Sequence, residues 1–362
     1  MRYQQSEILD GHSGGVVAIS FSGDGRYVAT AGTDRLLCIW DVQSGLKLHS
    51  LTTDTPILSV AWLPYDREDI VCGAEDGSIS LLEIGKTSIK ITGSWAHTCP
   101  VERLAVEDCR SSRIASGAHD ELFVWATVQG QWDRQAVLPR PANNLDSKDR
   151  DIVVTSIHWA TSVPNLLATY LYHGVVVYDA FTWAPIRAFP VNGVIVDASL
   201  RPGDAEIALS NATSGFDVYS LRSGSPQYFL PIEVRQRRSV PVLFIHGGNA
   251  LVAGSTTGKI VLWDINTRRR HQTLSFPGGD NILAIAVSIN RFIIAAGGMG
   301  PNTPIVLWKA EEGRRRREGS AEPSYMGASL LTAMLCLIFV LAVGQYLHTN
   351  DGIIDAAKRR LV

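Results

Sequence analysis

The stretch Gly254–Lys259, GSTTGK, comes nearest in this 362-residue sequence to a nucleotide-binding loop, and it fails on chemistry. A phosphate-cradling loop needs four residues between its glycines and a Ser or Thr after the lysine, whose hydroxyl holds the magnesium ion. Here three residues separate Gly254 and Gly258, and Ile260 follows Lys259. The segment also leads into a strand-like run, not into a helix whose N-terminus could hold phosphate. It reads as a turn between strands, and so does the glycine-rich Ala295–Asn302, AAGGMGPN.

The other reactive side chains are equally uncommitted. Nine histidines show no metal-ligand spacing, and His97 and Cys99 lie two apart with no second pair nearby, so no metal is expected. No Ser, His and acid constellation stands out, and no catalytic residue or cofactor is assigned. The basic runs Arg235–Arg238 and Thr267–His271 lack the interleaved aromatics of a nucleic-acid groove and read as solvated loops at strand junctions. With a net charge of −2, the chain as a whole has no attraction to nucleic acid. Five cysteines without a CxxC pair read as free thiols in a reducing compartment, where the sequon Asn211-Ala212-Thr213 stays unglycosylated. At 46% hydrophobic and 19% charged, the chain has the makings of a folded core. No enzyme and no small-molecule substrate follow from these residues.

The pattern that does stand out is periodic. Apolar runs end on Trp40, Trp125, Trp263 and Trp308, and weaker endings at Leu82, Tyr178 and Tyr219 fill the gaps. Successive endings lie 42, 43, 53, 41, 44 and 45 residues apart. In the first unit Gly11–Gly15 is a turn, VVAISFS a strand, and Gly23–Arg26 a hairpin turn in which Asp-Gly accepts positive φ. YVATAGT and LLCIWD follow as strands, and LKLHSL opens a more polar outer one. A period of 40–45 residues ending in Trp-Asp resembles the WD40 β-propeller family, in which each unit is one four-stranded blade.

The resemblance implies an all-β, seven-bladed WD40 propeller over residues 1–309, with repeats at about 1–42, 52–84, 95–126, 151–180, 189–221, 234–265 and 274–309. In that family His12, Thr30, Asp34 and Trp40 would form a buried hydrogen-bond chain, repeated in the third unit by His97, Ser116, Asp120 and Trp125. Arg2–Leu9 has no place in the first unit and is expected to supply the outer strand of the seventh blade, closing the ring. The long interval holds Gly130–Asp151, whose Pro, Asn and charge content reads as a surface loop.

The family resemblance also implies a rim that binds other proteins. Candidate rim residues sit where first strands begin and where second strands turn: Glu75, Glu102, Arg103, His119, Tyr172 and Asp197. The expected function is a non-enzymatic interaction scaffold. The alternative is a nucleotide exchange factor or regulator of a small GTPase at the endoplasmic reticulum, which would carry a Gly- and Asn-rich loop in the first blade. Here the only similar loop, GGMGPN with Asn302, is in the last.

Beyond Lys309 the composition changes. Residues 310–325 are a charged, flexible linker with four consecutive arginines, Arg314–Arg317. Residues 326–347 carry no charge, and ten of the 22 are Leu, Ile, Val or Phe. As a helix they would reach about 33 Å, enough for a hydrocarbon core of about 30 Å. Since MRYQQSEILDG has no apolar leader, the sequence reads as tail-anchored. That reading places the propeller in the cytosol and residues 348–362 as a short lumenal tail. The membrane is taken as that of the endoplasmic reticulum, with the mitochondrial outer membrane as the alternative.

Overall fold

In a computed structural model of the chain, the described residues are 1–311, apart from 65–68, 86–87, 108–112, 129–130, 143–148, 278 and 280. Their strands form seven antiparallel four-stranded sheets. The first strands of consecutive blades stand side by side: Val16–Phe21, Ile57–Trp62, Arg103–Val106, Val154–Trp159, Asp197–Leu200, Val242–Ile245 and Ile282–Ser288. The last of these packs against the first, so the circle closes. The described residues form an all-β, seven-bladed propeller.

No blade buries its apolar surface alone. The core consists of seven clusters, each shared by two neighbouring blades. Leu37 and Ile39 of blade 1 meet Ile70 and Cys72 of blade 2. At the far end of the chain, Ala295 and Leu307 of blade 7 meet Val28 and Trp40 of blade 1. Because second and third strands are covered on both faces, they read as near-continuous apolar runs such as YVATAG and LLCIWD. Outer strands have one free edge and are more polar, as in Lys47–Thr52, KLHSLT. The turn at 22–27 is held as its sequence requires: Gly25 takes φ +70°, and Asp24 accepts the Arg26 N–H at 2.9 Å.

Arg2–Leu9 pairs antiparallel with Ile305–Glu311, from Arg2 opposite Glu311 to Leu9 opposite Ile305. The N-terminal strand therefore completes blade 7, as expected. The interval Gly130–Asp151 is corrected. Its first part, Gln131–Val137, is not loop but the outer strand of blade 3, paired with Glu121–Val128. Its Pro and Asn content comes after that strand, at Pro139, Pro141, Asn143 and Asn144, and it masked the strand in the composition of the whole interval.

Among the described residues no helix is long and apolar enough to cross a membrane. Of the linker expected at 310–325, Ala310 and Glu311 instead end the strand Ile305–Glu311, which pairs with Arg2–Leu9. Residues 312–325, the apolar run 326–347 and the tail 348–362 lie outside the described residues, and so do Cys109 and Cys336. Cys38, Cys72 and Cys99 are free thiols.

Candidate functional site

The buried hydrogen-bond chain of blade 1 is formed by the expected residues. Trp40 Nε1–H donates to Thr30 Oγ1 at 2.9 Å, and the Thr30 hydroxyl lies 2.9 Å from His12 Nε2. His12 Nδ1 faces the Asp34 carboxylate at 3.1 Å. Those partners assign the proton of a neutral His12 to Nδ1, so each group satisfies the next. Asp34 also accepts the Ser13 N–H, which ties the start of the first strand to the turn after the second. Gly32 has no room for a side chain, because a Cβ there would lie 2.6 Å from Asp34 Oδ1 and 2.9 Å from His12 Nδ1.

Blade 3 builds the same chain with a different acid. Trp125 Nε1–H donates to Ser116 Oγ at 2.8 Å, and Ser116 Oγ lies 2.7 Å from His97 Nε2. His97 Nδ1 then meets Glu121 Oε2 at 2.8 Å, not Asp120. The reason is the length of the turn. In blade 1 Thr30 pairs with Cys38, eight positions on; in blade 3 Ser116 pairs with Phe123, seven positions on. The shorter hairpin leaves Asp120 at its tip, where it pairs with Arg140 and His119. Glu121 opens the next strand, and its extra methylene restores the reach. Burial works against the anions of Asp34 and Glu121. Hydrogen bonds from His12, Ser13 and Leu36 outweigh it for Asp34, and those from Thr98 and His97 outweigh it for Glu121. Both carboxyls are held below the ordinary value. Their contribution to stability is therefore present at neutral pH and is lost as pH falls through those depressed values. Glu121→Ala is expected to cost about 1–3 kcal/mol in urea denaturation, and Asp120→Ala less than about 1 kcal/mol. The reverse order would restore Asp120 to the chain.

Among the described residues, the hydrogen-bond chain is not repeated in the other blades that end on Trp or Tyr at this place, for a reason that sequence periodicity hides. The residue two places past the one paired with the Trp must carry a hydroxyl. In blades 6 and 7 that residue is Ala253 or Ala296, so Trp263 and Trp308 serve as apolar bodies in the junction clusters. In blade 4, Ala168 holds the place, and Tyr178 sends its hydroxyl to Pro139 O at 2.8 Å while accepting Tyr170 as a neighbour. The Gly254–Lys259 segment is the blade 6 turn, in which Ser255 Oγ accepts the N–H groups of Thr257 and Lys259.

An antiparallel meander puts the start of each first strand and the turn after each second strand on one end of the ring. All six candidate rim residues thus share a face. The structure brings three of them together. Glu102, Arg103 and Asp197 line a cavity of about 430 Å³ at the channel mouth, walled by apolar side chains such as Leu58, Pro241 and Leu283. Arg103 donates from Nε to Thr155 O and from Nη1 to Glu102 O, which spreads its guanidinium along the wall. Asp197 accepts the Val242 N–H at 2.9 Å. Burial pushes its carboxyl up to about 6, against the pull of Arg103 and of the Val242 and Ala198 N–H groups. Glu75, His119 and Tyr172 stand apart from this cavity: Glu75 and His119 are exposed, and the Tyr172 ring lies 4.9 Å beneath the Arg150 guanidinium. On the same face Asn302 donates its N–H to Ser13 O. Among the described residues no group of His, Cys, Asp and Glu is placed to hold a metal.

Two tryptophans were not anticipated. Trp62 and Trp159 end the first strands of blades 2 and 4 and donate across to Ser20 O and Ala105 O of the preceding blades. The signal was present, since each closes an alternating run, ILSVAW and VTSIHW.

Residues 3–41 match the family described as "WD domain, G-beta repeat". The human serine-threonine kinase receptor-associated protein is 22% identical over 258 residues, covering 70% of this chain and 67% of that protein. Protein tipD of Dictyostelium discoideum is 23% identical over 73% of this chain. An Arabidopsis thaliana WD repeat-containing protein 26 homolog is 31% identical over 20% of it. The chain spans 42% and 13% of the length of the last two relatives. None of the three is named as an enzyme or an exchange factor. The first unit is thus similar to a WD repeat, and the seven closed blades show a β-propeller fold.

Proposed function

We propose that this protein is a non-enzymatic interaction platform that binds other proteins on the rim around the channel mouth and is held at a membrane by residues 326–347. The observation that carries the first half is the cavity where Glu102, Arg103 and Asp197 converge against apolar walls. Charged groups fixed by backbone hydrogen bonds beside desolvated apolar surface are what a protein partner can read with specificity. Asp197, half-buried, and Glu102, exposed, bring two carboxyl groups to the mouth beside Arg103. The anchor rests on the uncharged 22-residue run and its length against a bilayer.

Proximity labelling from the full chain tests both halves. A chain ending at Gly313 is expected to lose the membrane neighbours and to be released by alkaline carbonate, while the full chain stays with the membrane. Glu75→Lys with Glu102→Lys is expected to remove protein neighbours without moving the melting temperature, because both side chains are exposed. Unchanged neighbours in that variant would end the rim reading, and release of the full chain by carbonate would end the anchor.

A further inference from the structure

Every blade ends on an outer strand, and a far edge left uncovered presents backbone N–H and C=O groups as a template for another strand. Six of the seven ladders that carry an outer strand are interrupted by a register shift. It falls at Ile39/Trp40, Val124/Trp125, Val177/Tyr178, Val218/Tyr219 and Leu262/Trp263, and at Gln5/Glu7 in blade 7. Such bulges bend and twist an edge away from flatness. Blade 2 has Leu82 in place of the aromatic residue, and its ladder runs unbroken from Ser78 opposite Trp95 to Ile84 opposite Ile89.

Other protection is thin there as well. Proline opens the outer strand of blade 4 and bounds that of blade 5, and Arg269, Arg270 and His271 occupy that of blade 6. The blade 7 strand is engaged by Gln272, which bonds both the N–H and the carbonyl of Tyr3. The blade 2 strand, IKITGSW, has one charge, Lys90, already paired with Glu83 of its own blade. It exposes Ile91 at 49% and Trp95 at 75%.

The direction of its free groups can be read from the ladder ends. Ala96 N–H donates to Gly77 O, and Gly85 N–H donates to Ser88 O. Alternation between those ends turns the backbone groups of Lys90, Thr92 and Ser94 inward and those of Ile89, Ile91, Gly93 and Trp95 outward.

We propose that this edge pairs with itself: the strands Ile89–Trp95 of two copies of the chain add to each other antiparallel about a two-fold at Thr92, fusing two blades into one eight-stranded sheet. The strand is complementary to its own reversal in this register. Ile91 faces Gly93 of the second copy and Ile89 faces Trp95, so the outward backbone groups meet outward groups and the apolar side chains share one face. Lys90 faces Ser94, not a second lysine, and Thr92 faces Thr92, a favourable cross-strand pair. A slip of one residue would set outward groups against inward ones and remove the hydrogen bonds. A slip of two would leave either Trp95 or Ile89 facing a residue outside the strand, according to its direction. A strand from an unrelated protein has no such reason to match, which is why a second copy is the occupant chosen.

Disulfide trapping in the full chain tests the proposal, with Cys99, Cys109 and Cys336 replaced by serine. At the two-fold, Thr92 is a non-hydrogen-bonded pair with Cα atoms about 4.5 Å apart, within the range of about 4.4–6.8 Å that a disulfide spans. Thr92→Cys is expected to give a linked dimer under mild oxidation. Lys90→Cys and Ser94→Cys should each stay unlinked alone and link when mixed. Trp95→Glu added to Thr92→Cys should cut the rate of linkage at least about tenfold, as expected when an aromatic anchor becomes a charge at a paired edge. Because these positions are exposed, circular dichroism should show an unchanged fold. Linkage through Thr92→Cys no faster than through Leu48→Cys on the blade 1 edge would overturn the proposal. So would a chain that sediments as a monomer while its blade 2 edge captures a strand of another protein.

Discussion

A chain lacking residues 1–9 will not form a stable propeller. Arg2–Leu9 lies at one end of the sequence and its partner strand, Ile305–Glu311, almost three hundred residues away, so the N-terminal strand is the latch of the ring. Tyr3 is 2% exposed and belongs to the cluster between blades 6 and 7, while Leu9 is 1% exposed and belongs to the cluster between blades 7 and 1. One deletion therefore opens two of the seven junctions. Emptying the Leu9 and Tyr3 sites costs about 2–5 kcal/mol each by analogy with large-to-small core substitutions. Together with the lost ladder, that is comparable to the whole stability of an ordinary domain, about 5–15 kcal/mol. The deletion also bares Ile305–Trp308 as an apolar edge. The truncated chain should be recovered as aggregate, or should show no cooperative transition in calorimetry. A truncated chain that melts within a few degrees of the intact one would mean that blade 7 is held by its other three strands. Tyr3→Ala with Leu9→Ala separates the causes, since it removes the burial and leaves the strand backbone in place.

This latch was legible because it follows from counting. The seventh unit stops at its third strand, and one strand-length segment is left over at the start. The blade number was legible for a similar reason: the period survives where the motif does not, as at Leu82, Tyr178 and Tyr219. What the period could not supply was the length of individual turns. Glu121 replaces Asp120 because one hairpin is a residue shorter, and the letters HDEL read equally well either way. Nor could it show that Trp263 and Trp308 lack a hydroxyl partner, because that depends on which residue of the second strand sits two places past the pairing position. The strand at Gln131–Val137 was hidden by the Pro and Asn residues that follow it. Of the six rim residues, three converge on the channel mouth because they come from first strands, which line the channel, or from the residue just before one. Glu75, His119 and Tyr172 come from turns farther out along each blade, and sequence position alone does not distinguish radius.

Loss of the Trp40 side chain should be among the most damaging single substitutions in the protein. Trp40 is 2% exposed, fills the junction between blades 7 and 1, and lies beneath the Lys47 ammonium at 5.4 Å. Trp40→Ala is expected to cost about 3–5 kcal/mol in urea denaturation, from lost burial and the cavity left behind. Trp40→Phe separates the polar part of that cost. It keeps most of the apolar body but takes the N–H donor from Thr30 Oγ1, for an expected loss of about 1–3 kcal/mol. Trp308→Phe makes an equivalent change where Ala296 offers no hydroxyl, and so should cost less than Trp40→Phe. Thr30→Val orphans Trp40 Nε1 and His12 Nε2 together, so its effect should not add to that of Trp40→Phe. A double-mutant cycle is expected to show a coupling of about 1 kcal/mol or more, whereas independent sites add within about 0.3–0.5 kcal/mol. Additive losses would mean that the tryptophan is kept for its size alone, and the hydrogen-bond chain from Trp40 to Asp34 would then be a consequence of packing and not a cause of it.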